Sequence, residues 1–155
     1  MKPIKTVGIS YMAYDTSAAL MVDGELISCC EQERYNLDKH SREFPFEAIK
    51  GCLNSANLTI NEIDTICFGF NPDLYHNYPS KENLNRRPLP FKKELDKKVQ
   101  KELSYNGNIE YYEHHLCHAA SAYYPSGYKN AVIISNDGIG EVACSMIARG
   151  IDHKL

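Results

Sequence analysis

Apolar residues alternate with small or polar ones over Thr6 to Tyr11, placing Val7, Ile9 and Tyr11 on one side of the chain. A period of two predicts a strand with one buried face. The run SAALMVDGELISCC (17–30) continues as two further strands folded about Asp23-Gly24, a pair suited to a tight hairpin turn. From Pro45 the period lengthens: Ile49, Cys52, Leu53 and Ala56 stand at i, i+3, i+4 and i+7, which predicts an amphipathic helix opened at the proline. Thr59 and Glu62 have the spacing of a capping box, and DTICFGF (64–70) has the continuous apolar character of a buried strand. Residues 71–90 hold four of the seven prolines and show no period, which predicts a long surface loop. Leu95, Val99 and Leu103 then mark a solvent-facing helix, NIEYYE (108–113) a strand, HHLCHAASAYY (114–124) a helix and AVIIS (131–135) another strand. The order β-β-β-α-β-α-β-α-β belongs to the α/β class.

A weak internal repeat adds to this picture. SAALMVDG (17–24) and ACSMIARG (143–150) each follow a strand and an Asp-containing polar loop, and each closes on a glycine expected in a turn. Their separation is far longer than a solenoid period, so the expectation is two copies of a domain-sized unit, a first subdomain over 1–130 and the start of a truncated second over 131–155.

Composition narrows the setting. With 43% hydrophobic residues, 24% charged residues and a net charge of -3, the chain has the balance of a globular domain and no electrostatic case for nucleic acid or a membrane surface. The N-terminus MKPIKTVGIS lacks the apolar core of a signal peptide, and the expected location is the cytoplasm. The six cysteines (Cys29, Cys30, Cys52, Cys67, Cys117 and Cys144) include no CxxC pair and read as small buried hydrophobes, with a disulfide framework as the alternative.

Candidate chemistry concentrates in two places. His114 and His118, at i and i+4 on a predicted helix, lie on one face about 6 Å apart along the axis, within reach of one ion. The bland alternative is capping or surface placement. A zincin would need Glu after the first histidine, and position 115 is His. His115 points about 100° away, behind the pair or to solvent. The strand AVIIS runs into NDGIGE (136–141), where Asp137 would add a carboxylate to the same ion, and where Gly138 and Gly140 would let backbone N–H groups approach phosphate oxygens. An ordinary hairpin turn is the alternative. A matching polar loop after the first strand carries Ser10, Asp15, Thr16 and Ser17, so two strand-loop elements would grip a nucleotide.

These residues carry a family resemblance. The segments DTSAALMVDGEL (15–26), EQERY (31–35) followed by DKH (38–40), FP (44–45) with Ala48 and Ile49, HHLCHAASAYYPSG (114–127) and DGIGE (137–141) resemble, in order, the N-terminal part of NodU/CmcH-type O-carbamoyltransferases. The resemblance implies a ribonuclease-H-like half of an actin/hexokinase/Hsp70-type duplicated fold, related to the universal tRNA threonylcarbamoyladenosine proteins, plus the opening hairpin of the second half. It implies an enzyme that uses ATP and carbamoyl phosphate, through carbamoyl adenylate made by a YrdC-like domain, to carbamoylate a hydroxyl of a small-molecule acceptor. It also implies His114, His118 and Asp137 as ligands of a divalent metal, iron first with zinc or manganese as alternatives, and a further acidic ligand beyond Leu155. By the same resemblance Asp15, Lys39 and His40 are catalytic, and Ser10, Asp15, Gly138 and Gly140 bind the nucleotide. A solvated turn is the alternative for the Lys39-His40 pair. Where many members have His before the first of these segments, this chain has Tyr14, a poor general base at neutral pH, so acceptor activation is expected to differ.

Rival readings are a tRNA-modifying threonylcarbamoyl transferase, a two-His-one-carboxylate iron oxygenase, and a non-catalytic fragment. The acidic balance argues against the first, and the α/β order with a helix-borne histidine pair against the second. An isolated first half is also expected to self-associate through the apolar side of the 131–148 hairpin.

Overall fold

The computed structural model describes residues 2–11, 14–77, 89–138 and 140–155. In chain order its elements are β1 (Lys5–Ser10), β2 (Ser17–Val22), β3 (Glu25–Glu31), α1 (Glu33–Asn36), α2 (Phe46–Ser55), β4 (Thr65–Phe68), α3 (Pro72–His76), α4 (Lys92–Leu103), β5 (Asn108–Tyr111), α5 (His114–Tyr123), β6 (Asn130–Asn136) and β7 (Ser145–Ile151). Their contacts divide the described residues into two compact units, residues 2–69 with 89–111 and residues 70–77 with 112–155.

In the first unit β1 is central to a five-stranded mixed sheet of order β3-β2-β1-β4-β5. β1, β2 and β3 form the expected antiparallel meander, with Val7 opposite Leu20, while β1 runs parallel to β4 and β4 to β5. The hairpin between β2 and β3 turns on Asp23 (φ 49°) and Gly24 (φ 83°), both left-handed, the geometry that an Asp-Gly pair adopts most readily. The alternation in β1 is realised as burial, with Val7 at 0% and Ile9 at 3% exposure. They join Leu20, Ile66 and Phe68 of the sheet, Ile49, Cys52 and Leu53 of α2, and Val99 and Leu103 of α4 in one apolar cluster. Each large side chain so removed from water contributes about 1.5–3 kcal/mol. The Thr59–Glu62 capping box is present, the Glu62 carboxylate accepting from the Thr59 N–H and hydroxyl at 2.9 Å each, and it opens one 3₁₀ turn ahead of β4.

The four-residue α1 has no apolar period to announce it and ends at Leu37 in the left-handed region (φ 58°). In the second unit α3 interrupts the stretch expected to be loop. Asn71 caps it by accepting from the Asp73 N–H at 3.1 Å, and Pro72 occupies the first helical position. Residues 78–88 of that expected loop lie outside the described residues.

β6 and β7 pair antiparallel as a hairpin, and α5 packs on one of its faces through Ala119 and Tyr123 against Ile133, Ala131 and Ala148. α5 precedes residue 130 in sequence but shares its apolar cluster with the strands that follow it. The other hairpin face is bare, with Val132, Ile134 and Ile147 exposed at 70%, 72% and 77%. β2 and β7, the two copies of the weak repeat, are each the second strand of an antiparallel pair. Only the first ends on a turn glycine. Gly150 sits inside β7 with its Cα against the Tyr123 ring, where any Cβ would overlap the aromatic carbons. Among the described residues no helix is long and apolar enough to cross a membrane.

Candidate functional site

α5 begins where its first N–H groups find carboxylates. Glu113, in extended conformation at the N-cap, accepts from the N–H of His115 at 3.2 Å and of Leu116 at 2.9 Å. One turn of helix then stacks His114 and His118 as the i, i+4 spacing predicts, their ring centroids 4.4 Å apart. After β6 the chain turns back, and the Asp137 N–H donates to the Cys144 carbonyl at 2.9 Å to close the loop to β7. That closure delivers the Asp137 carboxylate to the histidine pair. Asp137 Oδ2 lies 2.8 Å from His114 Nε2 and 3.2 Å from His118 Nε2, and the two nitrogens are 3.0 Å apart.

This triangle can be tested against the needs of a metal. Ligand atoms about 2.0–2.1 Å from one ion, at angles between those of an octahedron and a tetrahedron, stand about 2.8–3.4 Å from one another. All three observed separations fall there. Two imidazoles and a carboxylate suit a borderline divalent ion such as iron, zinc or manganese, and three ligands on one face leave its other positions free. The side chains are partly open to solvent, at 26% for His114, 48% for His118 and 42% for Asp137. The hydrogen bond from His114, followed by that from the Gly138 N–H, pulls the Asp137 carboxyl down to about 2, so the group is anionic at any neutral pH.

The same loop shows where the amides of the two glycines go. The Gly138 N–H donates to Asp137 Oδ1 at 2.5 Å and the Gly140 N–H to the Ala143 carbonyl at 2.7 Å. Both amides are thus engaged inside the loop. Gly140 packs closely: a Cβ there would stand 3.0 Å from His115 Cδ2 and 3.3 Å from the Ala143 oxygen, so both would have to give by a few tenths of an ångström.

His115 lies behind the ligand pair with 0% exposure. Its Nε2 faces the Ala143 carbonyl at 2.9 Å and its Nδ1 the Ser135 hydroxyl at 2.8 Å. A carbonyl only accepts, so Nε2 carries the hydrogen, and in the neutral ring Nδ1 accepts from Ser135. Cys117 is a packing residue, as its position on the helix predicts, with its thiol pushed up to about 11 chiefly by burial.

Glu141 had only a place in a motif, with no role assigned. It is 1% exposed, and its carboxylate accepts the Asn71 N–H at 2.6 Å and the His114 N–H at 3.1 Å from each oxygen. Nothing in the spacing of a glutamate 27 residues from a helix start signals that contact.

The other candidates lie in the first unit. Asp15 (φ 59°) and His40 (φ 57°) both adopt left-handed backbone, and Asp15 Oδ1 meets His40 Nδ1 at 2.8 Å. Lys39 does not point freely at a ligand: its ammonium donates to Glu33 Oε1 at 2.9 Å, while Glu33 Oε2 accepts the His40 N–H at 2.9 Å. Glu33, buried and unremarked in the sequence, thus holds the segment that presents both residues. Tyr14 lies beneath Arg42, whose guanidinium carbon is 3.6 Å from the ring centroid. These two residues with Asp38, Lys39, His40 and Glu43 line an open pocket of 430 Å³. Ser10 is exposed at the end of β1, opposite Ser17. The structure so brings Asp15, His40 and Lys39 together through Glu33 in one unit, and His114, His118 and Asp137 together in the other.

Comparison with known proteins bears on the family and the fold. An uncharacterized protein of Synechocystis sp. is 29% identical over 170 residues, a match covering 96% of this chain and 28% of that protein. The nodulation protein NolNO of Sinorhizobium fredii is 31% identical over 144 residues, covering 88% of this chain and 21% of that protein. The chain therefore spans between a fifth and a third of the length of these relatives. Among solved structures, YeaZ from Pseudomonas aeruginosa superposes with a TM-score of 0.51 at 13% identity, over 88% of this chain and 56% of that one. At that identity the likeness speaks for the fold alone, and it supports the ribonuclease-H-like type broadly. The family model described as carbamoyltransferase N-terminus matches residues 5–150, and the chain belongs to the carbamoyltransferase family.

Proposed function

We propose that the chain is the N-terminal part of an O-carbamoyltransferase that takes the carbamoyl group of carbamoyl adenylate, formed from ATP and carbamoyl phosphate, and transfers it to a hydroxyl of a small-molecule acceptor. The observation that carries this reading is the convergence of His114 Nε2, His118 Nε2 and Asp137 Oδ2 within 2.8–3.2 Å of one another, in a chain of this family. On the same reading the five-stranded unit is the first half of a duplicated actin/hexokinase/Hsp70-type fold, and β6 with β7 opens the second half.

When bound, a divalent ion at this site would supply a Lewis acid for the adenylate phosphate and offset the charge of departing AMP. The chain's own residues do the rest. Asp137 is anionic throughout the neutral range and orients the His114 and His118 rings through its shared oxygen. Asp15 holds His40 by Nδ1, which leaves His40 Nε2 to take the proton of the acceptor hydroxyl as its oxygen forms the bond to the carbamoyl carbon. The carbon–oxygen bond to AMP breaks in that step. Glu33 holds Lys39 by its ammonium and His40 by its backbone N–H, which fixes the segment that presents His40.

The test has two parts. Metal analysis of the chain should find one divalent ion, lost in His118→Ala with the far-UV spectrum unchanged. Within a longer protein that carries this chain, labelled ATP and carbamoyl phosphate should yield AMP, pyrophosphate, inorganic phosphate and a carbamoylated acceptor. Equal metal content in His118→Ala, or labelling of tRNA in place of a small hydroxyl compound, would overturn the reading.

A further inference from the structure

We infer that Glu141 is the positioning residue that holds the three-ligand site in its assembled shape, an inference that rests on reading His114, His118 and Asp137 as a divalent-ion site. Its geometry is that of a clamp. Glu141 follows Asp137 by four residues in the same loop, and the two carboxylates take hold of the same residue of α5. Asp137 Oδ2 meets the His114 ring at 2.8 Å, and the Glu141 carboxylate accepts the His114 backbone N–H at 3.1 Å through both oxygens. His114 is thereby held by side chain and main chain at once.

The placement is physically specific. The His114 N–H is at the positive end of the helix dipole, where a carboxylate is favoured. Burying an ionised carboxylate is costly unless hydrogen bonds replace its water, and here the Asn71 N–H adds a third contact at 2.6 Å. The loop is stiffened around it. The Asp137 N–H donates to Cys144 O, the Gly140 N–H to Ala143 O, and the His115 ring ties Ala143 O back to α5. A shift of the loop along α5 large enough to move Asp137 off the imidazoles therefore has to break the Glu141 contacts first. Glu141 is not itself a ligand, because both of its oxygens face backbone N–H groups. Charge and shape are both needed: in Glu141→Gln one oxygen becomes an NH2 that faces the His114 N–H, donor against donor.

Cobalt(II) titrated into the 155-residue chain by calorimetry, with the visible bands of the bound ion recorded, separates this role from a merely structural one. Wild type should bind one cobalt. Glu141→Gln should bind it about 10–100-fold more weakly, as expected for loss of a residue that orients ligands, and with altered visible bands. A residue needed only for stability would lower the melting temperature and leave the affinity and spectrum of the folded chain unchanged. That outcome, with Glu141→Gln binding cobalt as tightly as wild type, overturns the inference. Absence of cobalt binding by wild type, or unchanged binding by His118→Ala, sinks the metal reading instead. The wild type offers an independent measurement: the His114 amide should resonate downfield and exchange slowly with deuterium, and an amide that exchanges as freely as an exposed one overturns the inference without any variant.

Discussion

Replacing His115 with phenylalanine keeps a buried ring in place and removes two hydrogen bonds at once. The site is dry, with His115 at 0% and Ser135 at 7% exposure, and the ring joins β6 to the loop that carries Asp137. Each hydrogen bond contributes about 0.5–1.5 kcal/mol net, and leaving its buried partner unsatisfied raises the loss to about 1–3 kcal/mol. The Ser135 hydroxyl is left so, while the Ala143 carbonyl keeps the Gly140 N–H, giving a total of roughly 1.5–4.5 kcal/mol. For a chain of this size each kcal/mol moves the melting temperature by about 2–4 °C, so a fall of roughly 3–18 °C is expected. Urea unfolding followed through the tyrosine signal provides the assay, since the chain has 11 tyrosines and no tryptophan. A double-mutant cycle sharpens it. If Ser135 and His115 bond each other, Ser135→Ala should cost markedly less in the His115→Phe background than alone, with a coupling of at least about 0.5 kcal/mol. A loss below about 0.5 kcal/mol for His115→Phe, within the range of ordinary surface substitutions, would refute the reasoning.

Two further outcomes follow from other parts of the chain. The Lys39 hydrogen bond, and then the His40 N–H, hold the Glu33 carboxyl below its ordinary value of 4.5. A group depressed in the folded state stabilises it above the unfolded value and loses that contribution as pH falls through the folded one. Wild type should therefore exceed Glu33→Gln in stability at pH 7, the gap closing as urea titrations descend below pH 4.5, and a gap independent of pH would exclude the mechanism. The bare face of Val132, Ile134 and Ile147 should drive self-association of the chain, seen by light scattering as a mass that rises with concentration. Ile134→Lys should abolish the rise, and a wild-type monomer across the whole range would remove the argument.

Much of the local structure was legible in the residues because it depends on period and on neighbours a few positions away. Alternation through Val7 and Ile9 marks the buried face of β1, and Asp23-Gly24 marks the turn between β2 and β3 by left-handed backbone. The i, i+4 step from His114 to His118 places two imidazoles on one face whatever the rest of the chain does. Contacts between distant residues carry no such mark. Where the amides of Gly138 and Gly140 go depends on where the loop closes, and it closes on Ala143 and on the Asp137 side chain. Nothing local marks a partner for Lys39, yet Glu33, six residues earlier and brought back by the left-handed turn at Leu37, takes its ammonium. Glu141 reaches the start of α5 only because β6 and the loop after it return the chain there. The sequence by itself determined which residue types could form the site and which face of each element they occupy; the tertiary structure alone decided which donors meet which acceptors, since hydrogen-bond partners are chosen by proximity in space, and burial makes every unmet group costly.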